Sequence, residues 1–487
     1  GLGGARTARS AYRRCRQSDR LNPFPEENFV NHAIQDRPTT IRYRVLLFAC
    51  CLSMITYLDR VCFGVAGPFI VESLALSDVG QLKEAFTAFA LSYAIFEIPS
   101  GWIGDRWGVR LALTRIVLWW SLFTVLTGMV GMRLAGVTLG GATTLVAIRF
   151  LFGAGEAGAY PNIARALHEW FRPDQWAQVQ GMVWMSGRIM GGLTPLVWML
   201  LVAGIGGNEP ILSWRSAFML FGLIGVAWCI AFWMLFRDRP DQHAGVNDAE
   251  KRLIAGERSV EANQANHTDI PWGSILLRYD LWLLSVVYLL VNYGWYFNIT
   301  YLPSYLKDRY GAEDNDLLAA LYKGGPLWIG AIGCLLGGTL SDWLGQRLGD
   351  RWKARRWIAC MALMVSGVSW LAAASAPSAT FFFLYASASA FCTDLTLGAT
   401  WATCQEMGRG SPGVATAVMN TIGALGAASA GWLTGWLIQQ NDLPLDRLVS
   451  WSEMISWEGG YASAFFSYFL AYTLAAIGWC FLRPATK

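Results

Sequence analysis

Long apolar runs alternate with short polar segments along the whole chain. Twelve runs of about twenty residues are apolar enough to form membrane-spanning helices. They fall into two sets of six on either side of one longer polar stretch. The predicted spans are residues 43–71, 84–103, 111–132, 138–160, 176–203 and 214–236, then 281–306, 322–342, 355–375, 378–404, 412–438 and 461–482.

The polar stretch between the two sets is predicted to be a linker. It is rich in Asp, Glu, Asn and Arg and lacks an apolar periodicity long enough to build a core, although its run DAEKRLIAGE suits a short surface helix. The predicted organisation is a cytoplasmic basic tail over 1–41, a six-helix bundle over 42–236, a cytoplasmic linker over 237–279 and a second six-helix bundle over 280–487. No function is assigned to the tail.

Composition supports a membrane protein. Hydrophobic residues make up 54% of the 487 residues and charged residues only 15%, which is too few charges for a soluble chain of this length. The 25 Trp and 17 Tyr agree, because amphipathic rings collect where lipid headgroups meet hydrocarbon. The 10 Cys show no disulfide or metal-site spacing. The predicted fold class is an all-α membrane protein with twelve transmembrane helices in two six-helix bundles.

Motifs for enzymatic chemistry are missing from the sequence. Its 4 His form no HExxH motif, and it contains neither a G-x-S-x-G elbow nor a phosphate-binding glycine loop. We therefore expect no enzyme activity, no catalytic residue, no cofactor and no metal. The expected partners are the lipid bilayer and a small solute, without nucleic acid, and the expected state is a monomer.

The distribution of Lys and Arg predicts the orientation, because cytoplasmic loops are enriched in these residues. The basic side carries the linker together with Arg6, Arg9, Arg13, Arg14, Arg16, Arg20, Arg37, Arg106, Arg110, Arg347, Arg351, Lys353, Arg355 and Arg356. The opposite loops carry Glu72, Asp78, Glu84, Asp314, Asp316, Asp442, Asp446, Glu453 and Glu458. Both termini are thus predicted to be cytoplasmic, in a multi-pass protein of the inner (plasma) membrane.

One polar loop occurs twice. GWIGDRWG begins at Gly101, GTLSDWLG begins at Gly338, and the two copies share Gly, Asp and Gly at one spacing, so that Asp105 matches Asp342 at a distance of 237 positions. A repeat at half the chain length is typical of transporters. A carboxylate at the membrane boundary suits a contact with the positive N-terminus of a neighbouring helix and with a basic partner. We interpret this loop as a conformational latch between the two halves, and its extension to Glu97 is left open.

Several charged residues lie near the middle of predicted spans. Asp59, Arg149 and Arg188 lie there, at a cost of about 2.5 to 3.5 kcal/mol for each charge. Glu156 follows Arg149 by seven residues, close to two helical turns, so both side chains face one direction. The alternatives are structural ion pairs between helices or a binding site. Because guanidinium groups bind carboxylates through forked donors, the cluster favours an anionic substrate.

The chain resembles the major facilitator superfamily. The resemblance rests on the twelve spans, the central linker and the loop G-x-x-x-D-R-x-G-x-R, here Gly101, Asp105, Arg106, Gly108 and Arg110. A narrower resemblance, to the anion:cation symporter branch of sugar-acid and other organic-anion transporters, rests on TYLDR, SYAIFEIPSGW and RFLFGAGEAGAYPN.

The branch resemblance implies roles for individual residues. It implies that Asp59 and Glu156 carry protons and that Tyr57, Arg60, Tyr93, Arg149 and Asn420 contact the substrate, with further contacts near Thr400. Arg188 departs from the pattern, because some members have a neutral amide in this region. If it faces the cavity, the substrate has room for a second negative group. Asp394 is either another titrating group or a packing partner, and Tyr293, Trp295 and Tyr296 are either an aromatic wall or packing.

The resulting hypothesis is proton-coupled import of a small organic anion by alternating access. The expected substrate is a sugar acid such as a hexuronate, aldonate or aldarate, with Na⁺ as an alternative coupling ion. Alternative functions are an organic-phosphate or anion exchanger and a proton-coupled efflux antiporter. The two titratable carboxyls disfavour the exchanger. The lack of a Gly-Pro pair in GRIMGGLTP disfavours the antiporter.

Overall fold

Each of the twelve predicted spans coincides with a helix or a broken helix. The computed structural model describes residues 37–75, 82–134, 137–203, 211–255, 277–311, 317–408, 411–439 and 460–482. The helices of the first set are α1 Ile41–Val65, α2 Gly67–Ser73, α3 Lys83–Trp107, α4 Val109–Met129, α5 Ala142–Glu156, α6 Ala159–Trp170, α7 Trp176–Trp198 and α8 Trp214–Leu235. After α9 Asp248–Ala255, the second set comprises α10 Tyr279–Trp295, α11 Phe297–Thr300, α12 Leu302–Tyr310, α13 Leu317–Leu348, α14 Arg351–Ala374, α15 Ala379–Leu395, α16 Leu397–Gly408, α17 Pro412–Gln439 and α18 Gly460–Phe481.

Helices account for nearly all the regular structure of the described residues. Their only strands, Arg133–Leu134 and Val137–Thr138, pair antiparallel in the loop after α4. Eight described helices are long and apolar enough to cross a membrane, or nine when the bent pair Trp176–Thr194 and Leu196–Val202 counts as one span. Residues 1–36 of the basic tail and the acidic loop residues Asp78, Asp314, Asp316, Asp442, Asp446, Glu453 and Glu458 lie outside the described residues.

Large apolar side chains are exposed on the outer surface of the helices. Leu122 on α4, Leu223 on α8, Met361 on α14 and Leu474 on α18 each expose more than half of their surface. Contiguous apolar exposure on this scale is unfavourable in water and favourable against hydrocarbon. The outer surface is therefore suited to a lipid environment.

The fourth predicted span is longer in the structure than its apolar run. Gly158 adopts φ +83°, a conformation that few other residues tolerate, and it separates α5 from α6. The helix resumes at Ala159 and ends at Trp170, ten residues beyond the predicted end at residue 160. The apolar run ends earlier because Arg165 and His168 occupy the last turns of α6. Hydrophobicity thus located the span but not the end of the helix.

The linker helix α9 is attached to the start of the first span. Glu250 is fully buried, and its carboxylate accepts hydrogen bonds from the backbone N–H groups of Ile41 (3.3 Å) and Arg42 (3.2 Å) and from the Thr39 hydroxyl (2.5 Å). The N–H groups of a first helical turn have no partner within the helix, and a carboxylate there also interacts favourably with the helix dipole. The segment predicted to be a surface helix therefore contributes a buried cap to α1.

Replacing Glu250 with Ala should destabilise the protein. The substitution leaves the first N–H groups of α1 and the Arg42 guanidinium without this acceptor, at an expected cost of about 1 to 2 kcal/mol. Thermal unfolding in detergent, followed by tryptophan fluorescence, should show a lower midpoint. Lys251→Ala, which removes only the exposed ion pair with Asp248, is the control and should leave the midpoint nearly unchanged. Equal midpoints for Glu250→Ala and the control would contradict this role of Glu250.

Candidate functional site

Two adjacent residues of α1 point into different surroundings. The Arg60 guanidinium donates from Nε to Glu156 Oε1 at 2.6 Å and lies 4.8 Å from the ring centroid of Tyr93. Asp59 is buried, and neither of its carboxylate oxygens accepts a hydrogen bond from the described residues. Adjacent helical positions diverge by about 100°, so the two side chains of one turn serve different neighbours.

Arg149 on α5 is a buried cation surrounded by aromatic rings. Its guanidinium carbon lies 4.2 Å from the ring centroid of Phe63, 4.4 Å from that of Phe152 and 4.9 Å from that of Phe89. It forms no ion pair with any carboxylate of the described residues, although Glu156 follows two turns later on the same face. Cation–π contacts hold its position without neutralising its charge. Arg149 can therefore offer its donors to an anion.

Arg188 and Asp394 form a buried ion pair between the two helix sets. Nε and Nη2 of Arg188, on α7, donate to the two carboxylate oxygens of Asp394, on α15, at 3.0 and 3.1 Å. Nη1 donates to the Tyr57 hydroxyl, and the ring of Trp295 covers the guanidinium at 3.8 Å. Of the roles left open for Asp394, the structure places it as the partner of Arg188. Tyr293, in contrast, bonds to Ser467 within the second set.

Asn420 on α17 joins the second set to the first. Its Nδ2 donates to Glu97 Oε1 at 2.9 Å and to the Tyr93 hydroxyl at 3.3 Å. The Glu97 carboxylate therefore belongs to the interior, where it accepts from Asn420. The Thr400 hydroxyl bonds to the carbonyl of Thr396 in its own helix. Seven charged residues lie in the interior of the described spans, and we call this group the charged centre: Asp59, Arg60, Glu97, Arg149, Glu156, Arg188 and Asp394.

An aromatic layer lies between the charged centre and the end of the molecule that carries the loop motifs. The rings of Tyr160 and Trp184 stack with centroids 4.2 Å apart, and Trp401 packs 5.4 Å from Trp184. These rings lie four residues beyond Glu156, four before Arg188 and seven beyond Asp394 on their helices. All three rings are buried. Sequence reasoning missed the layer because aromatic residues are common at helix contacts throughout the chain.

The first loop motif contacts the N-terminus of α17. The Asp105 carboxylate accepts hydrogen bonds from the backbone N–H groups of Gly413 (3.2 Å) and Val414 (2.7 Å) and pairs with Arg165. A Cβ at Gly101 would lie 2.8 Å from the carbonyl oxygen of Gly413, so glycine permits this approach of the two helices. The basic partner is Arg165, which sequence reasoning did not select. An arginine at the polar end of an apolar run was the available signal.

The second copy makes the corresponding contact with the roles of the halves reversed: the carboxylate belongs to the second half and the helix N-terminus to the first. Asp342 on α13 accepts from the backbone N–H of Gln178 at 2.9 Å, in the first turn of α7. A Cβ at Gly338 would lie 2.5 Å from the carbonyl oxygen of Ala177. The repeat seen in the sequence thus corresponds to a repeated contact, in which each half holds one helix N-terminus of the other half.

The remaining motif residues shape the turn before α4. Gly108 adopts φ +93°, and the backbone N–H of Arg110 donates to Asp238 at 2.9 Å. The Arg110 guanidinium bonds to the Trp233 carbonyl, and that of Arg106 lies 5.8 Å from the ring centroid of Trp102. These residues therefore connect the turn to α8 and to α3, within the first set.

The family follows from comparison with known proteins. The profile of the Major Facilitator Superfamily matches residues 49–431. The chain belongs to this family. The chain is 32% identical, over 406 residues, to a probable sulfoacetate transporter of Cupriavidus necator, covering 83% of this chain and 89% of that protein. It is 29% identical to a hexuronate transporter of Bacillus subtilis (81% and 88% covered) and to a probable galactarate/D-glucarate transporter of Escherichia coli (68% and 73% covered).

Solved structures support the same fold. A proton:xylose symporter is similar with a TM-score of 0.65 and 13% identity, covering 91% of this chain and 96% of that one. The Escherichia coli fucose:proton symporter gives a TM-score of 0.64 at 11% identity, with 92% and 100% covered. The predicted family, fold and transporter class are confirmed, the named relatives agree with the predicted sugar-acid branch, and the chain is a multi-pass membrane transporter.

We predict that Asp105→Asn slows transport with little effect on substrate affinity. The amide keeps one acceptor oxygen but loses the charge that holds Arg165 and the N-terminus of α17, which changes the equilibrium between conformations rather than the charged centre. Uptake in proteoliposomes should fall, while substrate binding to the purified protein stays within a few fold of wild type. Asp342→Asn, which alters the matching contact, should act in the same direction. A collapse of affinity in either variant would contradict the latch interpretation.

Proposed function

We propose that this protein imports a small organic anion together with protons, by alternating access. The proposed substrate is a sugar acid such as a hexuronate, an aldonate or an aldarate. The proposed setting is the inner membrane, with both termini in the cytoplasm. In this mechanism the two helix sets rock about the charged centre, and the contacts of Asp105 and Asp342 must break when the end that carries the loop motifs opens.

The observation that carries the proposal is Arg149, a buried guanidinium that forms no direct ion pair with a carboxylate of the described residues. A buried guanidinium without a carboxylate partner is unfavourable unless a ligand or another group supplies the missing acceptors. The phenylalanine rings around Arg149 exclude water and leave a cation with forked donors, which suits a carboxylate. The names of the relatives support this interpretation, since sulfoacetate, hexuronate, galactarate, glucarate and galactonate are all organic anions.

The charge balance of the centre supports coupling to a cation. With every group ionised, its three arginines and four carboxyls sum to 3 − 4, a net charge of −1. An anion that enters adds negative charge to an interior that already carries an excess of it. Such an entry becomes favourable when a cation binds too, and a proton on a carboxyl neutralises the charge without taking up space. Asp59 and Glu156 are the proposed proton carriers.

The contact between Arg60 and Glu156 suggests how substrate and proton are linked. Arg60 donates to one oxygen of Glu156, and the other oxygen has no partner among the described residues. An anion that binds Arg60 or Arg149 competes for the charge that stabilises Glu156 as a carboxylate. Proton binding and substrate binding then favour each other, and by reciprocity the two effects are equal.

Arg149→Lys should abolish transport in a correctly inserted protein. Lysine keeps the positive charge but cannot reproduce the planar fork or its stacking against the phenylalanine rings. Uptake of radiolabelled sugar acids into proteoliposomes is the measurement, with expression and insertion checked in parallel. Arg215→Lys is the matched control, because Arg215 bonds to the Val130 carbonyl away from the centre. Wild-type uptake by Arg149→Lys would exclude direct substrate binding by Arg149.

Glu156→Gln should separate exchange from accumulation. Glutamine imitates the protonated carboxyl permanently, so the variant should exchange substrate across the membrane but lose accumulation driven by a pH gradient. Counterflow and gradient-driven uptake are measured side by side in the same proteoliposomes. If Glu156→Gln still concentrates substrate with a proton gradient, the coupling role belongs to Asp59 or Asp394, and the same pair of assays on Asp59→Asn and Asp394→Asn then distinguishes them.

A further inference from the structure

We propose that Arg188 is a second anion-binding point that selects substrates with two anionic groups, and that Asp394 occupies it until such a substrate binds. This inference rests on the proposed function, because it concerns the same charged centre. It adds a substrate class, the organic dianion, and a role for a carboxylate of the second helix set.

The pairing of Arg188 leaves part of its binding capacity unused. A guanidinium has five N–H donors. Asp394 takes two of them and the Tyr57 hydroxyl takes one, so two N–H groups have no acceptor among the described residues. An incoming carboxylate or sulfonate can bind there first and then compete with Asp394 for the forked position, because both anions use the same geometry.

The surroundings of the pair are shaped for this contact. A Cβ at Gly187 would lie 2.7 Å from the Tyr57 ring and one at Gly191 would lie 2.9 Å from it, so the two glycines beside Arg188 let the phenol pack directly on α7. A Cβ at Gly330 would overlap the Asp394 carboxylate. With Trp295 over one face of the Arg188 guanidinium, these contacts fix the orientation of the guanidinium. Its edge can then donate to hydrogen-bond acceptors.

The second point, Arg188, is connected through α1 to the first, which Arg60 and Arg149 form in the proposed function. Tyr57, which bonds to Arg188, precedes Arg60 by three residues on α1, so the two side chains are on one face and about 4.5 Å apart along the helix axis. Arg60 and Arg149 belong to the first anion-binding point. One small molecule with an anionic group at each end can therefore contact both points.

Asp394 acts here as a positioning residue. It holds Arg188 by the forked contact that a substrate carboxylate would make, and it comes from the opposite helix set. A substrate that displaces Asp394 breaks the link between Arg188 and the second helix set and replaces it with a contact between Arg188 and the substrate. Binding of a dianion therefore changes how the two sets are connected, whereas a monoanion held at Arg149 leaves the pair intact.

Galactarate and galactonate make a matched pair of probes. They share the six-carbon chain and the internal hydroxyl groups, and they differ in that galactarate has a second carboxylate in place of a terminal CH₂OH. Both are tested as ligands of the purified full-length protein and as substrates in proteoliposomes. The variants are Asp394→Asn and the double variant Arg188→Gln/Asp394→Asn, which removes both charges together and avoids an unpaired buried arginine.

The wild-type protein should bind galactarate at least about tenfold more tightly than galactonate, since a second charged hydrogen-bond pair contributes that much or more. Asp394→Asn should bind galactarate several-fold more tightly, because the competing carboxylate is gone. The double variant should lose at least about ten times more affinity for galactarate than for galactonate.

Three results would overturn the inference. They are a wild-type protein without preference for galactarate, an Asp394→Asn variant that weakens both ligands equally, and a double variant that keeps the wild-type ratio of affinities. The comparison within the wild-type protein does not depend on the folding of any variant. Transport of galactonate without a preference for galactarate would refute this inference alone, whereas a wild-type protein that neither binds nor transports either acid would refute the proposed function with it.

Discussion

Neutralisation of buried charge is the constraint that organises the interior. Charged side chains in an apolar surrounding are costly unless they are paired, and here most of them find partners on other helices. Arg60 pairs with Glu156 between the first and fourth spans, and Arg188 pairs with Asp394 between the two sets. Arg149 stands apart, held by rings and without a carboxylate. The packing of the spans thus leaves Arg149 and Asp59 without a direct charged partner among the described residues.

At the end that carries the loop motifs, carboxylates accept hydrogen bonds from backbone N–H groups at helix N-termini, which have no partner within their own helix. Asp105 caps α17, Asp342 caps α7, Asp238 caps α4 and Glu250 caps α1. A carboxylate near a helix N-terminus contributes about 0.3 to 1 kcal/mol at an exposed site and up to about 2 kcal/mol in a partly buried one. Asp105 and Asp342 are buried, and Asp105 also pairs with Arg165. At the membrane boundary water can replace such a contact when it breaks. The two that join the halves, those of Asp105 and Asp342, are the ones that the proposed cycle requires to form and break.

The helices that connect the halves at the centre are the same ones that are capped at the end. On α7, Gln178 bonds to Asp342 while Arg188, ten residues later, bonds to Asp394. On α17, the turn at Val414 bonds to Asp105 while Asn420 bonds to Glu97. A helix is rigid over such distances, about 15 Å and 9 Å. In the proposed mechanism, a change of partners at the centre is passed along these two helices to the contacts at the end that carries the loop motifs.

The sequence by itself determined where the spans lie, the repeated loop and the mid-span charges Asp59, Arg149 and Arg188, because apolarity and charge are properties of each residue and need no knowledge of its neighbours. Pairing is different, since it depends on which helices pack together. Arg149 and Glu156 share one helix face, yet Glu156 pairs with Arg60, and the partner of Asp105 is Arg165 from α6. Only the tertiary structure decided these partners, because residues far apart in the chain become neighbours only when their helices pack.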